Sequence, residues 1–340
     1  MNKQYDVAVF IGRFHPLHNA HAEMLKDAAD MADKVIVIMG SAGQPRTFKN
    51  PFTDAERADM VLASTNSLNV NCIIEANHDT IYNDQAWAVR IQTIVSKHTT
   101  DTDKIVLIGH EKDETSFYLH MFPQWHTADC ELKDQLNATD IRDLYFKQDA
   151  NLQYLKCVVP EFTFNFLTEF KDTQAYNDII VERNINDAYK KQYAGLPYEP
   201  IFVTTDAVVV QDGHVLLVKR RAYPGKGLWA LPGGFVNAAT DKSVQDAMIR
   251  ELKEETRIKV PKPVLVGNIQ RYKVFDAIGR SSRGRTITHA FHIQLPYSGN
   301  LPSVKGSDDA EKAVWIPIGS LKSEEFFEDH FEIIHQFVGI

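Results

Sequence analysis

A chain of 340 residues is too long for one small module and matches two ordinary domains, which run ~100–200 residues each. At 44% hydrophobic and 24% charged it has a soluble globular composition, and it lacks the run of ~18 apolar residues that a membrane-spanning helix needs. The excess of 45 Asp and Glu over 37 Lys and Arg, a formal charge of -8, argues against general nucleic-acid binding while leaving room for a local basic pocket.

The opening residues lead into a short apolar strand instead of a signal-peptide core. Through the first half, apolar runs at Val7–Ile11, Val35–Met39, Val70–Ile74 and Ile105–Ile108 predict buried parallel strands. Helical spacing over His18–Met31, Asp54–Ser64 and Asp84–Lys97 separates them. This alternation predicts an α/β fold, an open parallel sheet with helices on both faces, whose ligands sit at the carboxyl ends of the strands. Phe162–Phe170 reads as the last helix of this domain, residues 1–172. The polar stretch 173–198, partly helical by composition, reads as a linker.

Residues 199–340 are strand-rich and predict an α+β domain. Phe202–Val210 and Val215–Lys219 flank an Asp212-Gly213 turn signal and read as a hairpin. Ser243–Thr256 reads as a helix, Val264–Ile269, Thr286–Leu295 and Ala313–Ile316 as strands, and Glu324–Phe337 as a closing helix. Cys72, Cys130 and Cys157 are scattered and outside any CxxC spacing. They read as buried filler in a reduced, cytoplasmic protein with neither disulfide framework nor structural zinc.

Two strings carry chemistry. The first strand runs into Gly12-Arg13-Phe14-His15-Pro16-Leu17-His18-Asn19-Ala20-His21. A glycine at the strand end admits phosphate to the backbone, and His18 and His21, three apart, share one side of the first turn of the next helix. Two imidazoles at that positive helix end suit the charge of a triphosphate. The second string joins Leu231-Pro232-Gly233-Gly234-Phe235 to Arg250-Glu251-Leu252-Lys253-Glu254-Glu255-Thr256. Glu251, Glu254 and Glu255 stand at i, i+3 and i+4 of a helix, so their carboxylates are expected to converge with Gly234 on Mg²⁺ or Mn²⁺.

The first string resembles the HxGH signature of the nucleotidylyltransferase superfamily, with Ala20 in place of the glycine. Asn137-Ala138-Thr139-Asp140-Ile141-Arg142 is similar to its second signature, SxTxxR, with Asn137 in the serine's capping position. Gly40-Ser41-Ala42 and Asn50-Pro51-Phe52-Thr53-Asp54-Ala55-Glu56-Arg57 look like the archaeal-type nicotinamide mononucleotide (NMN) adenylyltransferases. That resemblance implies a Rossmann-like domain in which the phosphate of NMN attacks the α-phosphorus of ATP, giving NAD and pyrophosphate. It places Gly12, Arg13, Phe14, His15, His18, His21, Thr139 and Arg142 around the ATP phosphates, with Mg²⁺ bridging phosphate oxygens. Arg46 is assigned to the NMN phosphate, Trp87 to the nicotinamide ring and Asn83 to its carboxamide.

The second string is similar to the Nudix box, with two departures: Arg257 replaces the terminal glycine, and Lys242 falls where an upstream Glu is expected. Both halves together resemble the bacterial bifunctional NMN adenylyltransferase/Nudix ADP-ribose pyrophosphatases. This implies hydrolysis of ADP-ribose to AMP and ribose 5-phosphate, with Glu311 of the stretch Ser307–Glu311 as general base. Arg283 and Arg285 of the basic stretch Arg280–His289 are assigned to the diphosphate or terminal ribose. Expected partners are ATP, NMN, NAD and ADP-ribose, with neither nucleic acid nor membrane, and a homodimer follows by resemblance only. Two rivals remain open: a transferase for another nucleotide acceptor, and an adenylyltransferase carrying a Nudix domain that senses ligand without cleaving it.

Overall fold

The computed structural model describes residues 3–66, 68, 70–110, 114–130, 137–147, 152–307 and 310–339. It divides into two compact units, one up to Val181 and one from Glu182 onward.

In the first unit the elements run β1 (Tyr5–Gly12), α1 (Asn19–Met31), β2 (Ala32–Met39), α2 (Asp54–Thr65), β3 (Asn71–Ala76), α3 (Asp84–Ser96), β4 (Ile105–Gly109), β5 (His126–Asp129), α4 (Ala138–Tyr145) and α5 (Glu161–Phe170). The sheet order is β3-β2-β1-β4-β5, and every pairing is parallel. Alternate residues of the apolar strands feed opposite faces: Ala8, Phe10, Val35 and Val37 pack in one core, and Val7, Val9, Ile36 and Ile38 in the other. The expected parallel sheet covered on both faces is therefore present. Strand β1 lies between β2 and β4, where the strand order reverses, so the loop after Gly12 opens at the crevice such sheets use for ligands. The edge strand β5 carried no sequence signal, because His-Thr-Ala-Asp is mostly exposed and offers no apolar run.

Residues Gln174–Lys191 form one helix, α6, where a linker was expected, and the division between units falls within it. The second unit continues with β6 (Phe202–Gln211), β7 (His214–Arg220), β8 (Trp229–Ala230), β9 (Gly233–Phe235), α7 (Val244–Thr256), α8 (Lys262–Gly267), β10 (Ile269–Phe275), β11 (Thr286–Gln294), β12 (Ala310–Pro317) and α9 (His330–Val338). The sheet is mixed: β6 runs parallel to β11, while β10–β11, β6–β7 and β7–β12 are antiparallel. The β6–β7 turn places Asp212 and Gly213 both at positive φ, 48° and 74°, as a tight hairpin requires.

Val264–Ile269, expected as a strand, is instead mostly helix α8. Pro261 caps it and Pro263 fits the first turn, where no N–H is needed, so the two prolines favour a short helix before β10 begins at Ile269. The closing helix also starts later than expected, at His330. The three cysteines are free, but only Cys130 is buried; Cys157 is exposed, which corrects the reading of all three as filler. Among the described residues no helix is long and apolar enough to cross a membrane.

Candidate active sites

The first site is built where β1 ends. Gly12 closes the strand and its carbonyl accepts the Gly40 N–H at 2.9 Å, joining the ends of β1 and β2. His18 is the N-cap of α1 and His21 its third residue; their rings stack with centroids 3.8 Å apart. The His18 N–H points to His21 Nδ1 at 3.4 Å. Burial, His18 and Arg13 hold the His21 pKa well below its ordinary value, so a neutral imidazole sits at the positive end of α1.

Arg142, on α4, joins the second signature to the first. Its Nη1 donates to the His15 carbonyl at 2.7 Å and its Nη2 to Thr139 Oγ1 at 3.1 Å. Asn137 caps α4, its Oδ1 accepting from the N–H groups of Thr139 and Asp140. Burial and the nearby Arg13 lower Arg142 to about 10. His15 is buried, with neither ring nitrogen partnered among the described residues. Burial, together with Arg57, Arg142 and Arg13, pushes its pKa to about 2, so it stays neutral. Lys49, which the sequence reading missed, lies within electrostatic range of Arg13 and Arg142. Cations thus crowd around the strand end, an arrangement that favours an anionic ligand.

Three of the residues assigned by resemblance have partners within the fold. Phe14 adopts φ 54° with its ring 1% exposed, packed edge-on against Phe10 and His21, so it supports the histidines from the core and cannot present its side chain to substrate. Arg46 is taken by Glu56 in a two-point pair at 2.7 Å and by the Pro51 carbonyl. Asn83 spends its Oδ1 capping α3 through the Ala86 N–H. Trp87 is half-buried against Tyr118 and Phe122. Arg57, fully buried, ties the loops after β1 and β2 together by donating to the carbonyls of Arg13 and Gly40 at 2.7 Å and pairing with Asp54.

The second site is a cleft of about 310 Å³ in the second unit, walled by Asp206, Arg220, Gly234, Glu251, Glu255 and Arg283 among others. Helix α7 buries Ala247, Met248, Ile249 and Leu252 against the sheet, which turns its glutamates away from the core. Glu255 accepts the Gly233 N–H at 3.0 Å, and burial with the neighbouring Glu251 raises its pKa to about 8. Burial also raises Glu251. A Cβ at Gly234 would stand 2.7 Å from the movable Glu251 carboxylate, whereas one at Gly233 would meet the Thr205 carbonyl at 2.1 Å, so close backbone approach requires the glycine at 233. The turn itself is held by His330, whose Nδ1 accepts the Leu231 N–H at 2.8 Å.

Glu254 departs from the expected convergence. Its side chain is 59% exposed and bonded to Arg250, which also holds Glu251 at 2.7 Å and Asp241 at two points. Among the described residues no group of three ligands is assembled at metal-binding distance. Two desolvated carboxylates facing one cleft, with acceptor capacity left over, nonetheless fit a divalent cation. Asp241 also answers the Lys242 departure: the carboxylate one residue earlier becomes the partner of Arg250 and is lowered to about 2 by it.

Arg283 lies in the cleft wall, over the rings of Phe235 and Phe327. Arg285 does not; its Nη1 donates to the Asp276 carbonyl at 2.6 Å. Glu311 sits exposed on β12 and is not part of the cleft wall, while Asp308 and Asp309 fall outside the described residues. Outside the glutamate helix, Asp206 and Glu328 reach the wall, and Glu328 accepts the Ser282 N–H at 3.1 Å. Beside it, Arg280 and Asp329 form a buried two-point ion pair. Of the residues missed in sequence, only Asp206 left a trace, as a lone acid inside the apolar run of β6; it is buried and accepts from Thr288 Oγ1 at 2.5 Å.

This geometry, a Rossmann-like crevice with stacked histidines and a separate glutamate-lined cleft beside a glycine turn, defines a nucleotidylyltransferase joined to a Nudix domain. Residues 9–144 match the cytidylyltransferase-like family and residues 201–337 the NUDIX domain family. The chain is 36% identical over 177 residues to the nicotinamide/nicotinic acid mononucleotide adenylyltransferase of Acinetobacter baylyi, covering 52% of this chain and 92% of that protein. It is 34% identical over 136 residues to the ADP-ribose pyrophosphatase of Methanocaldococcus jannaschii, covering 40% of this chain and 72% of that one. A bifunctional NMN adenylyltransferase/ADP ribose pyrophosphatase from Francisella tularensis, solved with AMP and a manganese ion, superposes with TM-score 0.90 at 35% identity over 98% of this chain and 99% of that one. The chain belongs to the family of bifunctional NMN adenylyltransferase/ADP-ribose pyrophosphatases.

Proposed function

We propose that the first unit transfers AMP from ATP to NMN, giving NAD and pyrophosphate, and that the second hydrolyses ADP-ribose to AMP and ribose 5-phosphate. The observation that carries this reading is the presence in one chain of two sites for phosphate chemistry built in opposite ways, one from cations and one from desolvated carboxylates. In the transfer reaction the nucleophile belongs to the substrate, so the protein's work is to orient and to neutralise charge. His18, His21, Arg13, Thr139 and Arg142 hold the triphosphate, His15 lines the pocket as a neutral donor or acceptor, and Trp87 flanks the nicotinamide.

In the hydrolase cleft Glu251 and Glu255 would hold Mg²⁺ or Mn²⁺, and Glu254 would join them by leaving Arg250. When bound, the cation supplies an activated water and neutralises the leaving phosphate. Arg250 orients the glutamates, the Gly233 N–H fixes Glu255, and Arg220 and Arg283 face the diphosphate. The three free cysteines accord with a cytoplasmic, reducing setting.

Assays with NMN plus ATP, and separately with ADP-ribose plus each metal, test both halves. His18→Ala should lower NAD formation by about 100-fold or more while leaving the melting temperature within a few degrees. Glu255→Gln should abolish AMP formation. Unchanged NAD synthesis in His18→Ala would refute the first assignment. AMP absent from wild-type reactions with either metal would favour the ligand-sensing alternative.

A further inference from the structure

The helix that sequence reading takes for a linker touches a turn that carries residues of the hydrolase cleft wall. On α6, half-buried Glu182 accepts the Gly225 N–H through Oε2 at 2.8 Å. The carbonyl of that same peptide unit, Pro224 O, accepts Arg220 Nε at 2.8 Å. One peptide plane is thereby gripped at its two ends by opposite charges, a carboxylate from α6 and a guanidinium from the end of β7. Both bonds are charge-assisted, the stronger kind.

The plane has little freedom to turn otherwise. Gly225 sits at φ 73°, and a Cβ there would meet the Phe327 ring at 2.2 Å. The turn closes through Gly227 N–H to the Arg220 carbonyl at 2.9 Å and Leu228 N–H to the Gly225 carbonyl at 3.1 Å. Arg220 lies 4.0 Å over the Phe327 ring and lines the cleft. Its charge there acts on Glu255 and Glu328. Arg221 and Ala222, in the same turn, also form cleft wall.

From this we propose that Glu182 is a positioning residue for the hydrolase: by fixing the Pro224–Gly225 peptide it sets where Arg220 meets the diphosphate. The proposal rests on the assignment of ADP-ribose to this cleft, and it predicts an effect on substrate binding transmitted from α6. Without the carboxylate, the Gly225 N–H loses its acceptor, the peptide is free to rotate, and Arg220 loses its fixed reach.

The test uses the full chain. Equilibrium binding of ADP-ribose in EDTA, where no turnover occurs, is measured for wild type, Glu182→Ala, Glu182→Gln, Arg220→Lys and the double variant Glu182→Ala/Arg220→Lys. KM and kcat for hydrolysis and the rate of NAD synthesis are measured alongside. Glu182→Ala should weaken binding and raise KM by about tenfold with kcat little changed. Glu182→Gln, which keeps an acceptor for Gly225, should recover most of the loss. In the Arg220→Lys background the Glu182→Ala change should add almost nothing, since both act through one group. Wild-type binding in Glu182→Ala, or fully additive losses in the double variant, would overturn the proposal. Binding without hydrolysis in the wild type would count against the hydrolase assignment and leave the positioning result readable from the affinities. A melting temperature of the hydrolase unit within a few degrees of wild type in Glu182→Ala shows that this unit has folded, while NAD synthesis reports on the other unit.

Discussion

Glu255 and His15 show how burial decides what a titratable group does. The same desolvation that keeps His15 neutral, near pKa 2, lifts Glu255 to about 8. The folded chain therefore keeps a proton on Glu255 that the unfolded chain gives up above its ordinary value of 4.5. This contribution favours folding fully below that value and is lost as the pH rises through about 8. In EDTA, the melting temperature of the hydrolase unit should fall by a few degrees more in wild type than in Glu255→Gln between about pH 5 and about pH 8.5. Calorimetric scans in which the two proteins show the same pH slope would contradict the assignment of that proton to Glu255. A divalent cation should recover more stability at the alkaline end, because there the carboxylate gives up no proton on binding.

At the scale of elements, α7 shows both what local sequence dictates and what it leaves strained. Its start is written locally: Ser243 accepts the Asp246 N–H, as an N-cap serine does. Its end is not optimal. Arg257 caps the helix at φ 49°, ψ 30°, a left-handed conformation that costs a non-glycine residue about 1–2 kcal/mol. One side-chain bond to Ser307 Oγ at 3.2 Å offsets part of that cost. Arg257→Gly should accordingly stabilise the hydrolase unit by about 0.5–1 kcal/mol, read as a higher denaturation midpoint at unchanged slope. A lower midpoint would mean that the Ser307 contact outweighs the backbone strain. Helix α8 teaches the opposite lesson. Val264, Leu265 and Val266 read as strand by apolar content, yet the flanking prolines decided the conformation.

For the whole molecule, the formal charge of -8 says little about ligands, since each unit assembles its own local field. The described residues named at each site belong to one unit, so damage at one site is expected to spare the other activity. His18→Ala should leave ADP-ribose hydrolysis within about twofold of wild type, and Glu255→Gln should do the same for NAD synthesis. A parallel loss of both activities in either variant would show that the sites depend on each other. The sequence alone determined the two-domain plan, the parallel sheet of the first domain, the strand-rich character of the second, the paired histidines and the glutamate helix. Each of these is written in short-range periodicity, capping or spacing, which neighbouring residues dictate. The tertiary structure decided which charged groups are free to work. Arg46, Asn83 and Arg285 look free in sequence, and the fold engages each of them, with Glu56, a helix cap and a carbonyl. Arg220, Glu328 and Glu182 look ordinary in sequence, and only folding brings the first two into the cleft and sets the third against its turn. The physical reason is that hydrogen bonding and desolvation between residues far apart in the chain set a side chain's charge and reach, and no local pattern records those contacts.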